Sequence, residues 1–256
     1  METLRLLALQ YDMVWEDKEK NKKTVERILA DAPKADVILL PEMFDTGFTM
    51  NPGQVAETAE GKTLDWAKGI AEKYDAIVLG SWPVRAENNF FNRLYGVWPN
   101  GDYDFYDKRY LFSYGGEDKV YDRGGRQVIF EYKGWRIQPF ICYDLRFPVW
   151  LRNTQSADLY LIPANWPDTR ISHWSTLLRA RAIENQVYLA GVNRIGSAPN
   201  GLRYNGGSAV ISYTGETMTE IFEEEKVLYA ELHRSDLQAF RKKFPFLADR
   251  DGFEYK

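Results

Sequence analysis

Four side chains of this 256-residue chain could do chemistry together: the carboxylates of Glu42 and Glu117, the ammonium of Lys108, and the thiol of Cys142, the only cysteine. Cys142 ends the apolar run that begins near Arg136, and polar residues with a helical pattern follow it. The run reads as a buried strand, so the thiol stands at a strand's carboxyl end, where ligands bind in α/β proteins. A helix start just after it would make the thiol easier to ionise, and the thiolate is the nucleophile. The ordinary reading of the position is a core cysteine, so its neighbours must decide.

A free thiol, with a pKa of about 8.5, is only slightly ionised at neutral pH and needs a base or a cation. The usual base is histidine, and the chain has two, His173 and His233. His233 lies in a late strand pattern among polar neighbours, and His173 opens a helical pattern as a helix-start or pocket-wall residue. A carboxylate must then be the base. That works only where burial and a second carboxylate raise its pKa while a lysine keeps the net charge tolerable. Glu42, Glu117 and Lys108 meet the requirement as a set. Read singly, Glu42 is a helix cap, Lys108 a solvated strand end and Glu117 a loop acid, the usual exposed roles of charged residues.

The elements that must hold these groups follow from hydrophobic period. A first core strand near the N-terminus is followed by an amphipathic helix over 17–32, then by an apolar strand that Pro41 stops just before Glu42. A helix over 63–74 and a strand over 75–81 come next. The pattern then changes to strand pairs: 91–98 and 103–108 around Asn100-Gly101, and 127–132 and 135–142 around Lys133-Gly134. Alternation returns with a helix at 148–155, a strand at 157–166, a helix at 172–185 and a strand at 186–193. Closing strands are expected at 206–213, 217–222 and 226–232. The stretch 235–256 reads as a short helix and an apolar arm around Phe244-Pro245-Phe246-Leu247 that would pack on a neighbouring subunit. Ala35-Asp36-Val37-Ile38-Leu39-Leu40-Pro41 is echoed by Ala157-Asp158-Leu159-Tyr160-Leu161-Ile162-Pro163. Two similar halves imply an α/β, four-layer α-β-β-α sandwich of two mixed sheets with helices outside, a single domain over residues 1–256.

Composition sets the limits. Charged residues are 27% of the chain and the net charge is −4, so the basic excess of a nucleic-acid surface is missing. One cysteine makes no internal disulfide, and no apolar run approaches the roughly 18 residues of a membrane span. The N-terminus reads as a core strand, not a signal peptide, and a cytoplasmic protein without membrane or nucleic-acid partners is expected.

Four ordered segments carry a family resemblance: 39–44 with Glu42, 106–112 with Lys108, 141–148 with Cys142, and 179–186. Together they resemble the nitrilase, or carbon–nitrogen hydrolase, superfamily, whose signature is a Glu-Lys-Cys triad in this order. Cys142-Tyr143-Asp144-Leu145-Arg146-Phe147-Pro148 and Ala164-Asn165-Trp166-Pro167 look most like its bacterial omega-amidase branch. The substrates there are ω-amides of 2-oxo dicarboxylic acids, such as 2-oxoglutaramate and 2-oxosuccinamate. The resemblance implies the same sandwich, commonly as a homodimer, acting on a small amide with no metal or organic cofactor. It implies that Cys142 attacks the amide carbonyl, that Glu42 takes its proton and later activates water on the thioester, and that Lys108 and the Tyr143 backbone N–H stabilise the oxyanion. Glu117 would orient Lys108 or Glu42 and help pass a proton to ammonia. Arg146 would clamp a substrate carboxylate, or else brace its loop, and Trp166 would form an apolar wall. Tyr110 departs from the pattern, since relatives often carry histidine there. Other amidases, carbamoylases and nitrilases share the triad. Outside that class stand a metal-dependent phosphoesterase, with Glu42, Asp45 and Asp144 as ligands, and an idle binding module.

Overall fold

Successive residues of the central strands are buried on opposite faces and so enter different packing layers in the computed structural model, which describes residues 2–254. The chain begins β1 (Thr3–Gln10), α1 (Lys18–Ala30), β2 (Val37–Leu39), α2 (Pro52–Val55), β3 (Glu57–Thr58), α3 (Lys62–Tyr74) and β4 (Ile77–Ala86). It continues with β5 (Asn89–Val97), β6 (Tyr103–Asp107), β7 (Phe130–Tyr132), β8 (Trp135–Pro139), β9 (Leu159–Ala164), α4 (Ile171–Asn185) and β10 (Tyr188–Asn193). Last come β11 (Ile195–Ser197), β12 (Arg203–Ile211), β13 (Thr217–Phe222), β14 (Lys226–His233) and α5 (Arg234–Lys243).

Two mixed sheets result. The first runs β14-β1-β2-β4-β5-β6 with β3 beside β4, and the second runs β11-β12-β10-β9-β8-β7 with β13 beside β12. Leu6, Ala8, Val37, Leu39, Ile77 and Leu79 face the second sheet and share a core with Ile137, Leu159 and Leu161. The intervening residues Leu7, Leu9, Ile38, Leu40 and Val78 face outward onto Val25 and Leu29 of α1 and Ala67 and Ile70 of α3. On the second sheet, α4 lies so close that a Cβ on Gly191 would meet Leu178 and Trp174 at 2.8 Å. The layers are therefore α-β-β-α, as the periodicity implies.

The repeated heptapeptides take equivalent places: β2 lies parallel between β1 and β4, and β9 lies parallel between β8 and β10. Each is preceded by a buried aspartate bound by cations that link the two sheets. Asp36 accepts from Arg5 on β1 and from Lys133 in the β7–β8 turn of the other sheet. Asp158, ahead of β9, accepts from Arg234 and Arg241, which follow the first sheet's edge strand β14.

One expected element is absent. The helix expected over 148–155 is a turn at 148–151 followed by irregular chain. Asn153 anchors the segment in this shape: its Nδ2 donates to the carbonyls of Ala157 and Asn185, and its Oδ1 accepts from Ala157 N–H. The strands around residues 35–44 and 157–166 are also shorter than expected, because the chain turns away from the sheet before Glu42 and Asn165. The C-terminal stretch starts on its own chain, with Phe244 against Phe240 at 5.2 Å, while Phe246 is exposed.

Burial pushes the Asp36 carboxyl up, but Arg5 and Lys133 prevail and hold it at about 2. A depressed native pKa stabilises the fold above the unfolded-state value of about 3.9, and that contribution is lost as pH falls. Urea denaturation should therefore show wild type more stable than Asp36→Asn at pH 7, with the gap closing between about pH 4 and about pH 2.

Candidate active site

Carboxyl ends of strands from both sheets converge on one spot. Glu42 lies three residues beyond the end of β2 and Lys108 directly follows β6, both in the first sheet. Cys142 lies three residues beyond β8 and Asn165 directly follows β9, both in the second. Glu117 reaches in from a short 3₁₀ turn, Glu117–Lys119. Two side chains leave through backbone that non-glycine residues seldom adopt: Met43, beside Glu42, has φ 44° and Cys142 has φ 43°. Asp144 holds the cysteine turn in that shape. Its carboxylate accepts from Ile141 N–H at 2.9 Å, from Tyr110 N–H at 2.8 Å and from the Tyr106 hydroxyl at 2.7 Å. Burial pushes its pKa up to about 6, against these three donors.

Lys108, Glu42 and Glu117 are fully buried together. The Lys108 Nζ donates to Glu42 Oε1 at 2.7 Å and to both oxygens of Glu117 at 3.0 and 2.9 Å. Burial disfavours its charge, yet Glu117 and Glu42 more than offset this and raise its pKa. Asn92 on β5 donates to both acids, at 2.8 Å to Glu42 and 3.2 Å to Glu117. Glu117 Oε2 also accepts from the Phe112 N–H at 2.6 Å. A carboxylate offers about four acceptor positions, and those of Glu117 are filled by Lys108 twice, Asn92 and Phe112. Burial first, and the neighbouring Glu42, raise the pKa of the Glu117 carboxyl, with Lys108 and the Phe112 N–H acting the other way. Glu42 is different. Its Oε1 takes Lys108 and Asn92, and its Oε2 takes only the Asn165 N–H at 2.9 Å. One acceptor position remains open, and the thiol of Cys142 is the neighbour that interacts with this carboxylate.

The thiol is not made acidic by its turn. Cys142 opens a 3₁₀ turn of 5 residues, too short to supply a helix dipole. Burial first, then the negative Glu42, push its pKa well above the ordinary value, with Lys108 acting the other way.

A cavity of about 100 Å³ of solvent-accessible space opens onto Cys142 and Lys108, and Arg146, Trp166, Arg170 and Tyr204 line it. Arg146 lies over the Trp166 ring at 4.6 Å. His173 is exposed, outside the cavity lining, with Nδ1 3.3 Å from an Arg146 nitrogen. Tyr110 stacks on Phe147 with ring centroids 3.6 Å apart, bracing the cysteine loop from outside the cavity. Among the described residues no three His, Cys, Asp or Glu side chains are grouped to hold a metal ion. Asp45 instead faces Thr63 and Lys18, and Asp144 is engaged in the cysteine turn.

Asn92, Asn165 and Arg170 are site residues that sequence patterns leave unassigned, and Asp144 has there only a metal-ligand role in the phosphoesterase alternative. For Asn92 there is one signal, an amide beside Phe90, Phe91, Leu94 and Tyr95 in a strand pattern, a place where polar residues need a partner.

The carbon–nitrogen hydrolase family model matches residues 5–242. Omega-amidase YafV of Yersinia enterocolitica is 44% identical over 254 residues, 99% of each chain. The 2-oxoglutaramate amidase of Bacillus subtilis is 34% identical over 94% of this chain and 95% of its own. Among solved structures, XC1258 from Xanthomonas campestris, described as a CN-hydrolase superfamily protein with an arsenic adduct in the active site, superposes with a TM-score of 0.97. Its identity is 40%, and the whole of both chains is covered.

A thiol with a raised pKa gains thiolate about tenfold per pH unit until that pKa is reached. Iodoacetamide should therefore modify Cys142 ever faster from pH 6 to pH 9 without levelling off, as followed by mass spectrometry. A plateau near neutrality would mean a preformed ion pair instead.

Proposed function

This chain belongs to the carbon–nitrogen hydrolase family and is an amide-hydrolysing enzyme, and we propose that it acts as an omega-amidase, releasing ammonia from 2-oxoglutaramate and related ω-amides of 2-oxo dicarboxylic acids. The observation that carries the chemistry is the single open acceptor position on Glu42 beside Cys142, with Lys108 held between two carboxylates. Support for the substrate comes from the omega-amidase and 2-oxoglutaramate amidase relatives, and from arginines in a small cavity.

In this mechanism the Cys142 thiol gives its proton to Glu42 as Sγ attacks the amide carbonyl carbon. The oxyanion forms against Lys108 Nζ and the backbone N–H of Tyr143, and the surrounding aromatic walls strengthen that attraction by excluding water. Glu42 returns the proton to the leaving nitrogen, ammonia departs, and a thioester remains on Cys142. Glu42 then takes a proton from water as it attacks the thioester, and the free acid leaves with Sγ reprotonated. Glu117, with its acceptor positions filled, orients Lys108 and leaves proton transfer to Glu42. We further propose a cytoplasmic homodimer. The exposed apolar side chains of Val149 and Ile183 support the dimer, and among the described residues no helix is long and apolar enough to cross a membrane.

Ammonia release from 2-oxoglutaramate tests this reading. Cys142→Ala should abolish turnover, and Lys108→Ala should lower kcat by at least about 10²–10³-fold, the usual loss for one oxyanion donor. Circular dichroism should show both variants folded. Near wild-type rates in either folded variant would sink the mechanism. Glu42→Gln should slow both formation and hydrolysis of the acyl-enzyme, and burst-phase kinetics with undiminished acylation would move the base elsewhere.

A further inference from the structure

The cavity carries an uncompensated positive charge. Lys108, Arg146 and Arg170 line it, and no carboxylate does, in a chain whose net charge is −4. Lys108 is answered by Glu42 and Glu117 behind the wall, but Arg146 and Arg170 are in none of the ion pairs of the described residues. Elsewhere the chain pairs its well-buried arginines: Arg93 with Asp107, Arg181 with Glu184, Arg194 with Asp12 and Arg241 with Asp158. The two cavity arginines lie on aromatic faces instead, Arg146 over Trp166 at 4.6 Å and Arg170 over Phe112 at 5.5 Å. An aromatic face steadies a guanidinium without occupying the N–H edge that binds a carboxylate.

Trp166 also ties the two together. Its ring supports Arg146, and its indole N–H donates to the backbone carbonyl of Arg170 at 2.8 Å. The Arg170 N–H closes the same turn on the Pro167 carbonyl at 3.1 Å. Trp166 thus places the Arg146 guanidinium and fixes the backbone turn of Arg170, whose guanidinium rests on Phe112, before any ligand arrives. Holding two like charges in one partly desolvated cavity costs free energy, which an anionic ligand would recover.

We propose that Arg170 is a specificity-determining residue that completes, with Arg146, a two-guanidinium clamp for the end of the substrate remote from its amide. Two forks present about four N–H bonds, which match a carboxylate together with an adjacent oxo oxygen better than an isolated carboxylate or a neutral end. The inference deepens the omega-amidase reading and rests on it for the identity of the amide, while the clamp itself is readable through the carboxylate end alone.

Two measurements separate the clamp from the substrate assignment. In the first, kcat/KM is compared for 2-oxoglutaramate and for butyramide, which lacks the carboxylate. Arg170→Gln should reduce the preference for 2-oxoglutaramate by about 10–100-fold, the loss of hydrogen bonds to a charged group, mainly through KM. Arg170→Lys, which keeps the charge and loses the fork, should retain more of the preference than Arg170→Gln. In the second, 2-oxoglutarate, the acid produced from 2-oxoglutaramate, protects Cys142 from iodoacetamide, and its half-protecting concentration should rise by a similar factor in Arg170→Gln. Equal protection of wild type and variant, with matching thermal midpoints, overturns the clamp. Protection that depends on Arg170, in a wild type that releases no ammonia from 2-oxoglutaramate, keeps the clamp and overturns the proposed substrate.

Discussion

A lysine ammonium buried between two carboxylates is the constraint on which the site depends. Removing such ions from water costs several kcal/mol each, and their attraction offsets this only if the remaining lone pairs and protons are also satisfied. Around Lys108 they are satisfied by Asn92, by the backbone N–H of Phe112 and by that of Asn165. This shell leaves one acceptor position on one acid open, beside the thiol. Burial first, then the neighbouring Glu42, raise the affinity of the Cys142 thiol for its proton, with Lys108 acting the other way. The proposed mechanism, in which the thiol stays protonated until a carboxylate removes its proton, is consistent with this electrostatic arrangement and requires no histidine.

The two sheets each bring half of the machinery. Glu42 and Lys108 stand at strand ends of the first, Cys142 and Asn165 at strand ends of the second. The reacting geometry is consequently only as good as the register between the sheets, and small misplacements of reacting groups are costly. The inter-sheet core of Leu, Val and Ile sets the spacing without specifying direction. The buried aspartates Asp36 and Asp158 add direction, since each binds cations across the gap. Asp144 does the same on a smaller scale, holding the turn after β8 to the segment after β6 through Tyr110.

Family membership and pocket chemistry answer different questions. The matched family model and the relatives covering the whole chain settle the reaction class, amide hydrolysis. Discrimination among amides belongs to the residues that line the cavity beyond the triad. There the chain places cations on aromatic faces with no acid opposite, the arrangement on which the proposed selection by charge at the far end of the substrate rests.

Much of this was already written in the linear chain. Period-two and period-3.6 patterns gave the order of strands and helices, because burial on one face must repeat with the backbone's own period. The echo of residues 35–41 in 157–163 pointed to two similar halves, since a fully buried parallel strand needs the same apolar residues wherever it occurs. The ordered Glu, Lys and Cys segments identified the chemistry through a resemblance that no single residue could carry. Other features required the fold. The helix expected at 148–155 is absent where Asn153 bonds Asn185, a partner 32 residues away that meets it only in three dimensions. The thiol's high proton affinity comes from burial beside Glu42, 100 residues away in sequence. Asn92 and Arg170 look like ordinary polar residues until folding brings them to the two acids and to the cavity. Local sequence governs backbone period and turn chemistry, while proton affinity and charge compensation depend on through-space neighbours, and these exist only once the sheets have packed.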